Sequence, residues 1–335
     1  MGAPWFEDFY VGADFSDVPT VTITEGYAAI YQAIFADRSR LPLSYPLSEQ
    51  VTGRPALVNA TLVGNIAIGQ STVPSQRVMG NLFYRGLVFA QPVYVGDTLT
   101  TRTKVVALRQ NKIHEGRPAS GMAVLEVRVE NQREETVMNF WRCPMIPCQD
   151  AKADTGHNDN FDVIGKEVTE SMLHGALPKW DYQAYVDQTR GRHADDYSAG
   201  ERITVEGRET VTSAPELVRM TLNLAMTHTD AARSVYGKRL VYGGHTISIA
   251  ASQLSRAIPN LMGVLAWYQC DHVAPVFEDD ILRAEVIINN VQMIDAAAIL
   301  DISVVVYADR GTTAPEPGED IKVLDWHLAG LMACA

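Results

Sequence analysis

The sequence predicts an α+β protein made of two tandem copies of one module, each an antiparallel sheet wrapped around a central helix. Three observations lead there. The chain repeats itself once, each half holds one apolar helix ahead of several alternating segments, and a polar stretch separates the halves. A bent sheet with one apolar face needs such a helix to cover it.

The repeat comes first. Phe89-Ala90-Gln91-Pro92-Val93-Tyr94 matches His272-Val273-Ala274-Pro275-Val276-Phe277, and Gly96-Asp97-Thr98-Leu99 matches Asp279-Asp280-Ile281-Leu282, both at an offset of 183. The same offset lays Leu57-Val58 on Leu240-Val241. Upstream, Asp8–Gly12 pairs with Asp196–Gly200 at 188, and Thr20-Val21-Thr22 with Thr210-Val211-Thr212 at 190. The expected organisation is therefore a first module at 1–148, a connector at 149–189 and a second module at 190–335. The connector opens with a polar run, and its aromatic residues Trp180, Tyr182 and Tyr185 are expected to pack on a surface.

In each module a short first strand precedes a helix, expected over Glu25–Phe35 in copy one and Pro215–Met226 in copy two. Ser213 stands at the N-cap position of the latter, with Pro215 and Glu216 in the first turn. A second, more apolar helix follows, Leu62–Gly69 or His245–Ala257. Thr98–Leu108, Met122–Glu130 and Thr136–Arg142 then alternate apolar and polar, and Asn131-Gln132-Arg133-Glu134 forms a hairpin turn. Asp280–Asn289, Ala298–Tyr307 and Ile321–Leu328 repeat that pattern.

Composition narrows the function. The chain has 335 residues, is 47% hydrophobic and carries a formal net charge of −12. An acidic chain is a poor partner for nucleic acid or an anionic membrane, so neither is expected. No apolar run is long enough to span a bilayer, and the N-terminus lacks a signal-peptide pattern. The four cysteines lack zinc-ribbon or redox spacing, which suits reduced thiols and a cytoplasmic location.

The chemistry is expected between Asn223 and Ala251, which holds His228, His245, Tyr242 and the Gly243-Gly244 pair. Glycines at a helix start allow close backbone approach to a ligand. A bland reading stands beside each residue: a helix-end histidine, a buried helix histidine, a packed tyrosine, a tight turn. His272, in Cys270-Asp271-His272, is expected to serve the core or an interface. His228, Asp230 and His245 match no standard metal spacing, and no metal is expected.

The chain resembles the MaoC-like acyl-CoA dehydratases in their double hot dog form, and within them the mesaconyl-CoA hydratase (β-methylmalyl-CoA dehydratase) group. The residues carrying this are Trp5–Phe9, Thr22-Ile23-Thr24-Glu25-Gly26, Pro92–Leu99, Asn131-Gln132-Arg133 and Leu240–His245. The resemblance implies reversible addition of water to an α,β-unsaturated acyl-CoA, with coenzyme A as part of the substrate and no separate cofactor. His228 falls on the family's motif histidine, Asn223 on its aspartate, and Tyr242-Gly243 on its His-Gly. An asparagine cannot exchange a proton at neutral pH, so Asp230 and His245 become candidates for the missing group. Copy one carries no histidine at the matching place, Ala36-Asp37-Arg38-Ser39-Arg40, and is expected to shape the acyl pocket.

Hydration needs a base for water, donors for the thioester oxygen and an acid for Cα. A histidine, a helix N-terminus and a protonated partner suit those roles. Arg109, Lys112 and Arg117 are available for the phosphates of coenzyme A. The alternatives are a hot dog thioesterase, disfavoured because His245–Ala257 contains no Asp or Glu, and a non-catalytic acyl-CoA binder. Each chain is a pseudo-dimer, and a homo-oligomer of such chains is an allowed assembly.

Overall fold

The computed structural model describes residues 2–112, 119–165, 167–310 and 320–335. Its first half runs β1 (Val21–Thr22), α1 (Glu25–Phe35), α2 (Arg40–Leu43), α3 (Tyr45–Thr52), α4 (Ala60–Gln70), β2 (Gly80–Phe89), β3 (Thr98–Gln110), β4 (Ser120–Glu130) and β5 (Thr136–Pro147). Two helices follow, α5 (Glu170–Ala176) and α6 (Tyr182–Gln188). The second half runs β6 (Arg202–Thr204), β7 (Glu209–Thr210), α7 (Ala214–Met220), α8 (Gly243–Ala257), β8 (Gly263–His272), β9 (Ile281–Ile294), β10 (Ala297–Asp309) and β11 (Ile321–Ala333).

The strands form one antiparallel sheet in the order β1-β3-β4-β5-β2-β8-β11-β10-β9-β6, with β7 also on β9. This is the double hot dog expected. The halves join where β2 pairs with β8, Tyr84 opposite Cys270 and Leu87 opposite Trp267. Adding 183 to one pair generates the other, so a pseudo-twofold axis passes between these strands. Neither strand alternates cleanly in sequence, and consecutive residues are buried over 86–89 and 265–267, as where a strand is covered on both faces.

Helices α4 and α8 lie inside the curl. Every residue from Thr61 to Gln70 is buried, as is every residue from Gly244 to Ser255. The amide of Asn65 donates to Ser248 Oγ at 2.7 Å, two residues 183 apart, so the helices meet at equivalent positions. Gly244 permits that approach: a Cβ there would stand 1.9 Å from Asn65 Oδ1.

The repeat is visible in individual turns. Asp97 Oδ2 accepts from Tyr94 N, and Asp280 Oδ2 from Phe277 N, both at 2.9 Å. The first strands refine the sequence alignment. Thr22 faces Thr98 and Thr210 faces Ile281, so these strands are offset by 188, not 190. A two-residue slip leaves every side chain on its face, so the sequence pattern could not expose it.

The connector aromatics pack on the modules: Tyr185 is completely buried, and α6 docks through Asp181 N–H on Val51 C=O. Another expectation changes. Helix α7 stops at Met220, six residues short of the expected end. Leu222 takes the left-handed conformation (φ 56°), while Asn223 N–H bonds Val218 C=O and Leu222 N–H bonds Arg219 C=O. That is a Schellman stop. Ser213 sits at the cap position with φ 57° and makes no side-chain capping bond.

Candidate active site

Once α7 has stopped, the chain turns along the C-terminal end of α4. Leu224 N–H donates to Thr72 Oγ1 and Met226 N–H to Gln76 C=O, which pins residues 223–228 to the first half. Asn223 and His228 are thereby brought to the wall of a cavity of about 200 Å³. Its other walls are the start of α8 (Tyr242, Gly243, Thr246), the end of β8 (His272 to Val276), and Ile68, Thr72, Tyr84 and Arg142 from the first half. Both halves contribute to it.

His228 is the best-defined group. Its Nδ1 lies 2.8 Å from Leu240 O, and a carbonyl can only accept, so Nδ1 carries the proton. Nε2 is left with its lone pair. Desolvation pushes the imidazole pKa down to about 4; the Leu240 bond opposes this and the Arg142 charge adds to it. The ring is therefore neutral at ordinary pH, as a base must be.

His272 was not anticipated as a site residue. It lines the same cavity, its Nε2 is buried without a hydrogen-bond partner among the described residues, and its pKa is also pushed down to about 4. Burial is the main cause and His228 the second, so the two imidazoles are electrostatic neighbours. The signal available in sequence was its place at offset 183 from Phe89, beside the matched Pro275.

The remaining predicted residues divide. Asn223 is buried at the cavity wall; its Oδ1 accepts from Ala225 N at 2.9 Å and its Nδ2 is unpartnered. Tyr242 packs against His228 with ring centroids 5.6 Å apart, and its hydroxyl donates to Asn65 O at 3.2 Å. Its side chain does not cap α8; the His245 amide bonds Tyr242 C=O, and the Gly243 and Gly244 amides are left without a side-chain cap at that end, where Gly243 lines the cavity. Gly243 lines the cavity, but the space a Cβ would take belongs to His272, whose Nε2 would lie 2.5 Å away. Gly244 serves the contact with Asn65 instead of ligand approach.

Two expectations are corrected. Asp230 is exposed and caps a short turn through Ala232 N–H, and it does not line the cavity. His245 is two positions past Gly243, the first residue of α8, and points the other way, into the core, 4.8 Å from the Phe35 ring. Its Nδ1 is unpartnered, and burial pushes its pKa down to about 4. A helix turns roughly 100° per residue, so Gly243 and His245 cannot face the same wall. Neither residue meets His228.

The basic residues assigned to coenzyme A also lie elsewhere. Arg109 covers the Phe161 ring at 4.4 Å, Lys112 is an exposed strand end, and neither lines the cavity. Arg117 falls outside the described residues. Among the described residues no three His, Cys, Asp or Glu side chains converge as a metal site, and no helix is long and apolar enough to cross a membrane.

Comparisons with known proteins extend over most of the chain. It is 31% identical to β-methylmalyl-CoA dehydratase of Chloroflexus aurantiacus over 296 residues, 84% of this chain and 80% of that protein. It is 28% identical to mesaconyl-CoA hydratase of Cereibacter sphaeroides over 286 residues, 84% and 81% of the two chains. Among solved structures, a conserved Mycobacterium tuberculosis protein described as having a double hotdog fold superposes with a TM-score of 0.90, 40% identity and 98% of both chains covered. A Chloroflexus aurantiacus protein described as a MaoC domain dehydratase gives 0.87 at 26% identity, over 99% and 98% of the chains. No protein-family model matches.

Proposed function

Because the chain belongs to the MaoC-like double hot dog dehydratases, and is a hydro-lyase on that ground, we propose that it adds water reversibly across an α,β-unsaturated acyl-CoA of the mesaconyl-CoA type. The observation that carries this reading is a neutral His228, anchored through Nδ1 to Leu240 O, beside an uncapped helix N-terminus.

In this reading His228 Nε2 takes a proton from water as the oxygen attacks Cβ. Fixing Nδ1 keeps the accepting nitrogen aimed at the cavity, which removes a reorientation cost from the reaction. Charge builds on the thioester oxygen, and the Gly243 and Gly244 amides opening α8 supply donors and a favourable dipole there. The proton on Nε2 then passes to Cα, so one molecule of water is consumed and the imidazole returns to its neutral form. His272 is the second imidazole within electrostatic reach and the better candidate for a helper than Asp230 or His245. Asn223, which stands where relatives have an acid, serves as a donor: its unpartnered Nδ2 can hold water or the acyl oxygen. Lys238 and Arg239, two and three residues past the cavity residue Tyr236, replace Arg109 and Lys112 as candidates for the coenzyme A phosphates, which would draw Lys238 from the Phe277 ring and Arg239 from its ion pair with Glu278.

Thioester hydrolysis is disfavoured. Among the described residues no Asp or Glu lines the cavity to activate water for attack on the carbonyl. The test is direct: mix the purified protein with mesaconyl-CoA and with crotonyl-CoA and follow loss of the enoyl-thioester absorbance. Absence of turnover with every enoyl-CoA tried sinks the reading, and release of free thiol would point to hydrolysis.

A further inference from the structure

Arg142 is a buried cation that the hydration chemistry does not require. It lies on β5 opposite Tyr84, is 3% exposed and forms part of the cavity wall. Its Nη1 donates to Ile68 O at 3.3 Å and to Ser71 Oγ at 2.9 Å, and its Nη2 donates to Ser75 Oγ at 2.9 Å. All three acceptors are neutral. Nε is buried and has no partner. Five N–H bonds and three acceptors leave the Nε–H and one Nη2–H unused.

The charge is equally unanswered. A guanidinium does not give up its proton in a protein, and taking one out of water costs several kcal/mol unless an anion compensates. Among the described residues no Asp or Glu pairs with Arg142 or lines the cavity, and its principal electrostatic neighbours are Tyr84, Tyr242 and Cys143. Burial holds the Tyr84 phenol up at about 12 and pushes the Tyr242 phenol well above its ordinary range, so neither is an anion. Two further donors at the same wall, Asn223 Nδ2 and Thr227 Oγ1, also lack partners. A cavity lined by unused donors around an unpaired guanidinium is completed by a carboxylate.

That anion has to arrive with the ligand. The cavity, about 200 Å³, is smaller than the roughly 300–1,000 Å³ of a site for a drug-sized ligand, so it fits an acyl group and excludes a nucleotide. The negative charge that develops on a thioester oxygen during hydration is transient. It would leave the guanidinium uncompensated in the substrate complex, whereas a carboxylate on the acyl chain is permanently charged.

We propose that Arg142 is a specificity-determining residue that pairs with a free carboxylate on the acyl chain, so that this site selects coenzyme A monothioesters of dicarboxylic acids over those of monocarboxylic acids. This rests on the acyl-CoA reading above, whose mesaconyl-type substrate carries such a carboxylate, and assigns the residue that recognises it. No bond is made or broken in this step.

Binding separates the two ideas. Succinyl-CoA and butyryl-CoA share a saturated four-carbon chain and differ in the terminal carboxylate, so neither requires turnover. Calorimetry on the intact protein is expected to give a Kd for succinyl-CoA lower by about 30-fold or more, the effect of leaving a buried charge unpaired. Arg142→Gln abolishes that preference and Arg142→Lys, which keeps the charge, restores part of it. In turnover, Arg142→Gln lowers the ratio of kcat/KM for mesaconyl-CoA over crotonyl-CoA, chiefly through KM. Equal affinity of the wild type for the two saturated probes overturns the proposal, and this needs no variant to fold. An equal loss on both substrates in a folded Arg142→Gln protein also overturns it, because that is the mark of a structural or enolate-stabilising role. A succinyl-CoA preference without any enoyl-CoA turnover supports the carboxylate site and refutes hydration.

Discussion

The two halves each hold a cavity at the same place, and the cavities differ in what lines them. The cavity with His228 begins at Leu240-Val241-Tyr242-Gly243 and ends at His272 to Val276; the other begins at Leu57-Val58-Asn59-Ala60 and includes Phe89 to Val93. These stretches are 183 residues apart. His272 is answered by Phe89, Tyr242 by Asn59 and Thr246 by Val63. The Tyr84–Arg142 pair on β2 and β5 is answered by Trp267–Leu328 on β8 and β11. One cavity thus carries two imidazoles and a guanidinium, and in the other the only ionisable side chain among the described residues is the buried carboxyl of Asp37, whose pKa burial raises. The connector closes that second cavity with Ala176, Pro178 and Trp180. The lesson is that duplication preserved shape while a handful of side chains moved the chemistry to one side.

The largest expected effect tests the asymmetry itself. His228→Ala should cut kcat by about 10²–10⁴-fold, the usual cost of a lost acid-base group. Asp37→Asn, in the other cavity, should stay within about threefold, far short of that loss. Comparable losses in the two variants would show that both cavities take part.

Acid pH is the next way to strain the comparison. His228, His245 and His272 are all held well below the ordinary imidazole range, each at about 4. Between pH 6.5 and 4 the unfolded chain binds protons that the folded chain refuses, so stability is retained above that window and lost as pH falls through it. His245 alone, 1% exposed, should contribute a loss of roughly 2 kcal/mol on going from pH 7.5 to 5, read as a fall in the urea midpoint. Over the same range kcat/KM should stay flat, because the base remains neutral. An activity limb at the ordinary histidine value of about 6.5 would contradict the placement of His228.

A smaller effect addresses how the halves meet. Gly244→Ala should lower stability by about 1–3 kcal/mol through the clash with Asn65, whereas Thr61→Ala, 183 residues earlier, should cost less because it removes atoms. Thermal unfolding of the two variants checks this. The smallest effect is expected at Asp230. Asp230→Ala leaves the cavity wall untouched and should change kcat/KM by less than about twofold, as for a surface side chain away from the site.

Much of this was legible before any coordinates. The repeat, the apolar central helices and the alternating strands follow from residue spacing, and spacing is what a sequence records. Asn223, His228, Tyr242 and Gly243 were singled out through the family resemblance, and all four line the cavity. Tyr242 and Asp230 show the limit of local reading. Both are near His228 in sequence, yet one packs on its ring and the other is exposed as the cap of a separate turn.

What tertiary structure decided is the rest of the site. His272 comes from a strand 44 residues past His228, and Arg142 from the other half of the chain. They converge because β2 and β8 pair across the pseudo-twofold axis, a contact that depends on how two sheets share an edge. The protonation state of His228 was likewise unreadable. It depends on a carbonyl twelve residues away and on desolvation by both halves, and neither exists until the chain has folded. A sequence determines which elements form and which faces they bury. Only folding decides which polar groups share one wall, and here it brings Arg142, Asn223, Thr227, His228 and His272 to a single cavity from distant parts of the chain.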